Sequence, residues 1–279
     1  MGKGIWAAGG STGLWLGAAG GPWQRRESPP SPLRVAQGGG RVAVACAGGE
    51  VFEANSRRLL TACPGVEAMT FSPDGRYLYL LSGEADSILC CRGDTGDYLF
   101  LNRAGCYPRD ARLNSRGSYL AVAAGAAGEV RLFSAPDLRV LERFPVPGVP
   151  RQAAFVPGGL AVLAAVEEGE IFTLLGGIGE KRRSFQEWVR LPGLPGGLCL
   201  WGDGDLAVSA GEWLLMCRLN PFRVSRRYHR GGLAHYLCAH KGEGLLVSDA
   251  LMGRASLITG AGAERAVFEG DEVFAQWQV

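Results

Sequence analysis

The chain is short of the residues that mark most kinds of catalytic or metal chemistry. It has 3 histidines, and its eight cysteines include no Cys-x-x-Cys pair, the spacing that structural zinc sites leave behind. No convincing Gly-x-Gly-x-x-Gly lies between a strand and a helix, so nucleotide binding by a phosphate loop is not supported. No run approaches the roughly 18 apolar residues of a membrane span. The stretch after Lys3 superficially suggests a leader, but seven glycines between positions 4 and 21 interrupt it and leave no continuous apolar segment. Charge of one sign is missing too: Lys+Arg number 29 against 27 Asp+Glu, which argues against a dedicated nucleic-acid binder. With its cysteines mostly inside apolar stretches, the chain reads as a cytoplasmic protein with free thiols.

What is abundant is glycine, 43 residues in 279, beside 47% hydrophobic residues. The glycines are periodic. Gly75, Gly117, Gly159, Gly204 and Gly244 follow one another at intervals of 42, 42, 45 and 40 residues. Each stands in a turn between two short apolar segments, and a period of about 40 residues is that of a propeller blade. The clearest copy places strands at 67–71, 76–81, 87–91 and 97–101, separated by Ser72-Pro73-Asp74-Gly75 and two further turns. The expected fold is an all-β, seven-bladed β-propeller forming a single domain over 1–279, with four antiparallel strands per blade. Complete blades are expected at 32–64, 66–105, 106–148, 149–193, 194–232 and 233–271. The seventh joins 272–279 to 4–31, so that the last strand closes the ring and leaves no sheet edge open at the join.

The segments Ser72-Pro73-Asp74-Gly75-Arg76-Tyr77-Leu78-Tyr79, Asp86-Ser87-Ile88 and Asp94-Thr95-Gly96 resemble the YVTN family of seven-bladed propellers, which is related to lactonase-type and cytochrome-d1-type propellers. One blade carries the resemblance well and the others are degenerate copies. No Tyr-Val-Thr-Asn string occurs, and the Trp-Asp and Gly-His signatures of WD repeats are missing. The resemblance implies the fold, while its relatives include both enzymes and binding proteins.

A propeller's functional face commonly lies where the innermost strands begin, because one residue per blade converges there. Aligning the copies places Arg34, Glu67, Arg109, Arg151, Gly196, His235 and Phe274 at that channel mouth, with Asp110, Gln152 and Tyr236 beside them. Arg109 and Arg151 on adjacent blades are placed to clamp a carboxylate or phosphate, unless they pair with Asp110 or Glu67. No catalytic nucleophile stands in a recognisable context. His235 and His240 are five residues apart on one strand, roughly 17 Å, too far to share a metal. A lactonase-type metal needs several convergent oxygens, and only Glu67 and Asp110 are suitably placed. No catalytic residue, metal or cofactor is therefore assigned. The expected function is a non-catalytic platform presenting the mouth to a protein or a small anionic ligand, with neither nucleic acid nor a membrane span, acting as a monomer. The alternative is a lactonase-type hydrolase of a small anionic ring.

Other features point outward. Lys181-Arg182-Arg183 with Arg190, and Arg223, Arg226, Arg227 and Arg230, decorate two neighbouring outer strands, where the default reading is a solvated face and the alternative a basic rim for an acidic partner. Trp23 and Trp188 are the tryptophans placed to mark a partner surface. Cys90-Cys91 is similar to the adjacent-cysteine pair of quinoprotein dehydrogenases. Adjacent strand residues point to opposite faces, however, so two buried thiols are expected. Cys63 and Cys106 lie near matching connections of neighbouring blades.

Overall fold

The structure is a computed structural model that describes residues 6–10, 13–17, 24–26, 32–156, 162–178, 184–201, 205–230, 234–240, 244–249, 254–259, 264–269 and 273–275. The elements described are strands. The first are β1 (Trp6–Gly10), β2 (Gly13–Gly17) and β3 (Gln24–Arg26). Six sheets of four consecutive strands follow. The first holds β4 (Pro32–Gly38), β5 (Arg41–Cys46), β6 (Glu50–Glu53) and β7 (Leu59–Ala62). The second holds β8 (Val66–Phe71), β9 (Tyr77–Ser82), β10 (Ser87–Arg92) and β11 (Tyr98–Arg103). The third holds β12 (Pro108–Leu113), β13 (Tyr119–Ala124), β14 (Glu129–Ser134) and β15 (Val140–Pro145). Next come β16 (Val149–Phe155), β17 (Val162–Glu168), β18 (Ile171–Ile178) and β19 (Gln186–Leu191). They are followed by β20 (Pro195–Trp201), β21 (Asp205–Ala210), β22 (Trp213–Leu219) and β23 (Phe222–His229). The last of the six holds β24 (Ala234–His240), β25 (Gly244–Asp249), β26 (Arg254–Ile258) and β27 (Glu264–Glu269). Strand β28 (Val273–Ala275) pairs antiparallel with β1, Phe274 opposite Gly9, in a sheet of order β28-β1-β2-β3. An all-β chain of repeated four-stranded antiparallel sheets is a β-propeller.

The turns explain the period. Ser72 accepts a backbone hydrogen bond from Gly75 at 2.8 Å, and its hydroxyl donates to Asp74 Oδ1 at 2.6 Å. In the next copy Asn114 takes the role of Ser72: its carbonyl accepts from Gly117 N at 2.9 Å, and its Oδ1 accepts from Ser118 N and Tyr119 N. Gly75 and Gly117 have φ of 71° and 70°, the left-handed region in which a side chain is strained. These are local turns built by side chains that bond their own backbone.

The core lies between sheets. Along β13, Leu120 and Val122 pack with Tyr79, Leu81, Ile88 and Cys90 of the preceding sheet, while Ala121 and Ala123 pack with Ala153, Phe155, Ala164 and Val166 of the following one. Alternate residues of β9 divide the same way, Leu78 and Leu80 to one side and Tyr79 and Leu81 to the other. A strand covered on both faces must be apolar at every position, which is why the second strands read as continuous runs. It also explains Cys90-Cys91: both thiols are fully buried, one in each of two neighbouring interblade cores. Cys63 is buried and Cys106 exposed, and both are free thiols.

A Cβ on Gly75 would lie 2.8 Å from the carbonyl oxygen of Gly38 in the neighbouring sheet, on backbone that disfavours any side chain. Gly75→Ala should therefore destabilise the protein by about 1–3 kcal/mol, read as a lower urea midpoint with an unchanged slope. The outward-facing substitution Arg76→Ala should leave the midpoint in place.

Candidate functional site

In the six sheets of consecutive strands, the innermost strand carries a bulge at the same place. The register slips between Pro32 and Arg34, Val66 and Ala68, Pro108 and Asp110, Pro150 and Gln152, Pro195 and Gly197, and Ala234 and Tyr236. The residue left unpaired is Leu33, Glu67, Arg109, Arg151, Gly196 or His235. A bulge releases one residue from the ladder and re-aims its side chain. The expected alignment holds at five of these positions and fails at one: Arg34 is not equivalent to Arg109 but stands one residue further on, level with Asp110 and Gln152.

Arg34, Glu67, Arg109, Asp110, Arg151 and Gln152 nevertheless line one cavity of about 210 Å³, together with Arg112, Leu194, Pro195 and Gly196. These residues come from the starts of β4, β8, β12, β16 and β20 and from the segment leading into β20, which makes the cavity the mouth of the central channel. His235 and Tyr236 fall on β24 and Phe274 on β28, and their side chains lie outside the described residues.

Most of the mouth's charges are matched. Arg34 donates through Nε to the Glu67 carbonyl at 2.7 Å and lies 3.7 Å from the Glu67 carboxylate. Arg112 Nε sits 3.2 Å from Asp110 Oδ1. Arg151 donates through both Nε and Nη2 to Glu167 on the neighbouring strand β17. The expected partners of Arg151, Asp110 and Glu67, are thus occupied by other arginines, and Glu167 takes their place. Arg109 differs. Its guanidinium stands 4.8 Å from the centre of the Tyr107 ring, a cation–π contact, and its Nε is buried with no acceptor. Among the described residues it is the one lining arginine without a carboxylate partner. Gln152 donates through Nε2 to the Gly196 carbonyl at 3.0 Å, bridging two blades, while its Oε1 is buried without a donor.

Arg112 was not singled out from the sequence. It is visible there only as a cation in the middle of an innermost strand, in Pro108-Arg-Asp-Ala-Arg-Leu113. Burial acts to lower its pKa, but the Asp110 carboxylate together with Cys199 and Cys238 holds the guanidinium above its ordinary value. Its charge also bears on Cys199 and Cys238, which occupy matching positions on β20 and β24. Burial pushes the Cys199 thiol up to about 11 even so, and Cys238 rises well above the usual thiol range. Both are protonated at neutral pH, the opposite of an activated nucleophile. Burial likewise raises Cys46, Cys63 and Cys91 to about 11 and Cys90 and Cys217 to about 12.

A second cleft of about 430 Å³ opens at the other ends of the strands, lined by Arg41, Asp74, Arg76, Tyr77, Arg92, Asp94 and Leu99. Its charges largely cancel in the exposed pairs Arg76–Asp74 at 3.4 Å and Arg92–Asp94 at 3.2 Å. Of the outer features, Lys181-Arg182-Arg183 and Trp23 lie outside the described residues. Trp188 stacks on Phe222 of the next blade at 4.6 Å between ring centres, so it serves interblade packing. Arg190 pairs with Glu187 at 3.6 Å. Among the described residues no three His, Cys, Asp or Glu side chains group as metal ligands, and no helix is long and apolar enough to cross a membrane.

The class defined by this geometry is a β-propeller with a cationic, bulge-lined channel mouth. No family model matches the chain, and no curated protein matches it, so membership of the YVTN family is not shown. Solved structures match by fold. A functionally unknown protein from Desulfotomaculum acetoxidans superposes with TM-score 0.79 at 12% identity, covering 97% of this chain and 98% of that one. Hydrazine synthase of Kuenenia stuttgartiensis gives 0.69 at 14% identity over 82% of this chain and 77% of that one. U3-55K gives 0.67 at 13% identity over 89% and 90%. At these identities the likeness shows the β-propeller fold alone, a fold compatible with enzymes and binding platforms alike.

Two outcomes are expected. Arg112→Met leaves the buried Asp110 carboxylate without its cation and should cost about 3–5 kcal/mol; adding Asp110→Asn should recover a large part of it, as read by urea unfolding. Iodoacetamide at pH 7.5 should label Cys106 first and leave the seven thiols raised by burial unmodified until the protein unfolds. Peptide mapping by mass spectrometry reads this directly.

Proposed function

We propose that the chain is a non-catalytic binding platform whose recognition face is the channel mouth and whose ligand presents an anionic group, from a small molecule or from a protein surface. The observation that carries this reading is Arg109. A guanidinium with a buried, unsatisfied Nε on the wall of a cavity is costly unless something supplies the missing acceptor. Arg34, Arg112 and Arg151 have theirs from the protein; an anion in the mouth supplies it for Arg109. The clamp inferred from the sequence thus narrows to one residue, since Glu167 already occupies two nitrogens of Arg151.

The lactonase-type alternative is less well supported. The two carboxylates it would recruit, Glu67 and Asp110, are engaged by Arg34 and Arg112. The thiols nearest Arg112 are held protonated.

We further read residues 1–279 as one ring of seven blades, counting the sheet of β28, β1, β2 and β3 as the seventh. The pairing of β28 with β1, and the packing of β28 against β25 and β4, support this count. The buried free thiols support a reducing, cytoplasmic setting.

Titration calorimetry with acetate, succinate, phosphate and sulfate tests the platform. The native protein should bind at least one of them, and Arg109→Ala should weaken that binding by roughly tenfold or more, as expected for loss of a charge-assisted bidentate contact, with circular dichroism unchanged. Binding that ignores Arg109→Ala would overturn the assignment. Hydrolysis of a lactone panel by the native protein would favour the alternative.

A further inference from the structure

The outermost strand of every blade offers an unpaired backbone edge, and such edges recruit other strands unless something prevents it. Strands β7, β11, β15, β19, β23 and β27 each carry a bulge against their neighbour. Five have further protection. Strand β7 is only four residues long, and the rest carry charges: Glu142 and Arg143 on β15, Glu187 and Arg190 on β19, Arg223, Arg226 and Arg227 on β23, Glu264, Arg265 and Glu269 on β27.

Strand β11 is six residues long and carries its one charge, Arg103, only at its end. Tyr98, Leu99, Phe100 and Leu101 are 58, 40, 40 and 67% exposed, the one run of four consecutive large apolar residues left in water among the described residues. Single exposed apolar residues are ordinary; four together on an open edge mark an interaction surface. In the sequence this run looks like any buried strand, and only the structure shows that it is bare.

The residues flanking the run identify its occupant. Asp97 precedes it and Arg103 ends it; both are exposed, and neither has an ion-pair partner among the described residues. In an antiparallel pairing with a second copy centred on Phe100, Phe100 meets its own counterpart. Leu99 then faces Leu101, Tyr98 faces Asn102, and Asp97 faces Arg103, and each contact occurs twice. The segment Asp97-Tyr-Leu-Phe-Leu-Asn-Arg103 is thus complementary in charge to its own reverse, as a two-fold interface requires. A parallel pairing in the same register sets Asp against Asp and Arg against Arg. From Arg103 on, the backbone edge is already used: Arg103 N donates to Asn102 Oδ1 at 2.7 Å, its carbonyl accepts from Arg131 at 3.2 Å, and Ala104 N donates to Asp86 O at 2.9 Å, so Arg103 joins the pairing through its side chain.

We propose that β11 is a dimerisation edge, on which two copies of this chain pair antiparallel about Phe100 with Asp97 and Arg103 closing both ends. This replaces the expected monomer and leaves both channel mouths open, so it stands or falls independently of the anion site.

Sedimentation velocity of the full chain over a wide concentration range is the test. The native protein should show a reversible, concentration-dependent dimer. Leu101→Lys, a substitution at the most exposed residue of the strand, should abolish it. Asp97→Arg and Arg103→Asp should each weaken the dimer by roughly tenfold or more through like charges brought face to face, and the double exchange should restore most of the native affinity. Circular dichroism checks that each variant is folded. A native protein that stays monomeric throughout overturns the proposal, as does a dimer indifferent to Leu101→Lys. A double exchange no better than the single variants overturns the Phe100-centred register.

Discussion

The structure depends on one constraint: a blade of this propeller has no face of its own to show to water. Its middle strands send alternate side chains into the cores on either side, so Leu120 and Val122 belong to one interblade layer and Ala121 and Ala123 to the next. No blade buries its apolar surface without both neighbours, and each core is shared property. Repeat architectures gain their stability from such neighbour contacts more than from any single unit. The same arrangement seals away Cys90 and Cys91, whose adjacency suggests redox chemistry but whose surroundings make them core residues.

Against this uniform interior, chemistry is confined to the strand ends and edges. At the mouth, six bulges each put one residue outside the hydrogen-bond ladder, Arg109 and Arg151 among them, and of the four arginines lining the cavity all but Arg109 are matched by carboxylates from the same or neighbouring blades. The remainder, one guanidinium on a tyrosine ring, is the asymmetry that a nearly balanced net charge conceals. At the outer rim the corresponding asymmetry is apolar: among the described residues, β11 alone leaves four consecutive large apolar side chains in water.

Much of the fold was legible because turns are local. Ser72-Pro73-Asp74-Gly75 and Asn114-Ser115-Arg116-Gly117 declare their geometry through residues that bond their own backbone, and strands predicted at 67–71, 76–81, 87–91 and 97–101 fall within a residue or two of those observed. The mouth was legible in outline for the same reason, since strand starts follow from turn positions. Arg34 stands one residue beyond its expected place; aligning Pro32 with Pro108, Pro150 and Pro195 places Leu33 in the bulge instead. Charge partners were less readable. Glu167 reaches Arg151 across the β16–β17 hairpin, and Arg34 takes its partner, Glu67, from the neighbouring blade, relations that spacing along the chain does not announce. Exposure of β11 was not readable at all, because Tyr-Leu-Phe-Leu has the composition of a core strand.

The bulges carry one more consequence. Because Leu33, Glu67, Arg109, Arg151, Gly196 and His235 are excused from pairing, a change of residue type there alters neither the register of the innermost strand nor the interblade cores. The positions already hold an aliphatic, an acid, two bases, a glycine and a histidine on one unchanged frame. The lining of the mouth can therefore change on a different clock from the fold: positions outside the ladder can be rewritten one at a time while the shared cores hold the blades in place.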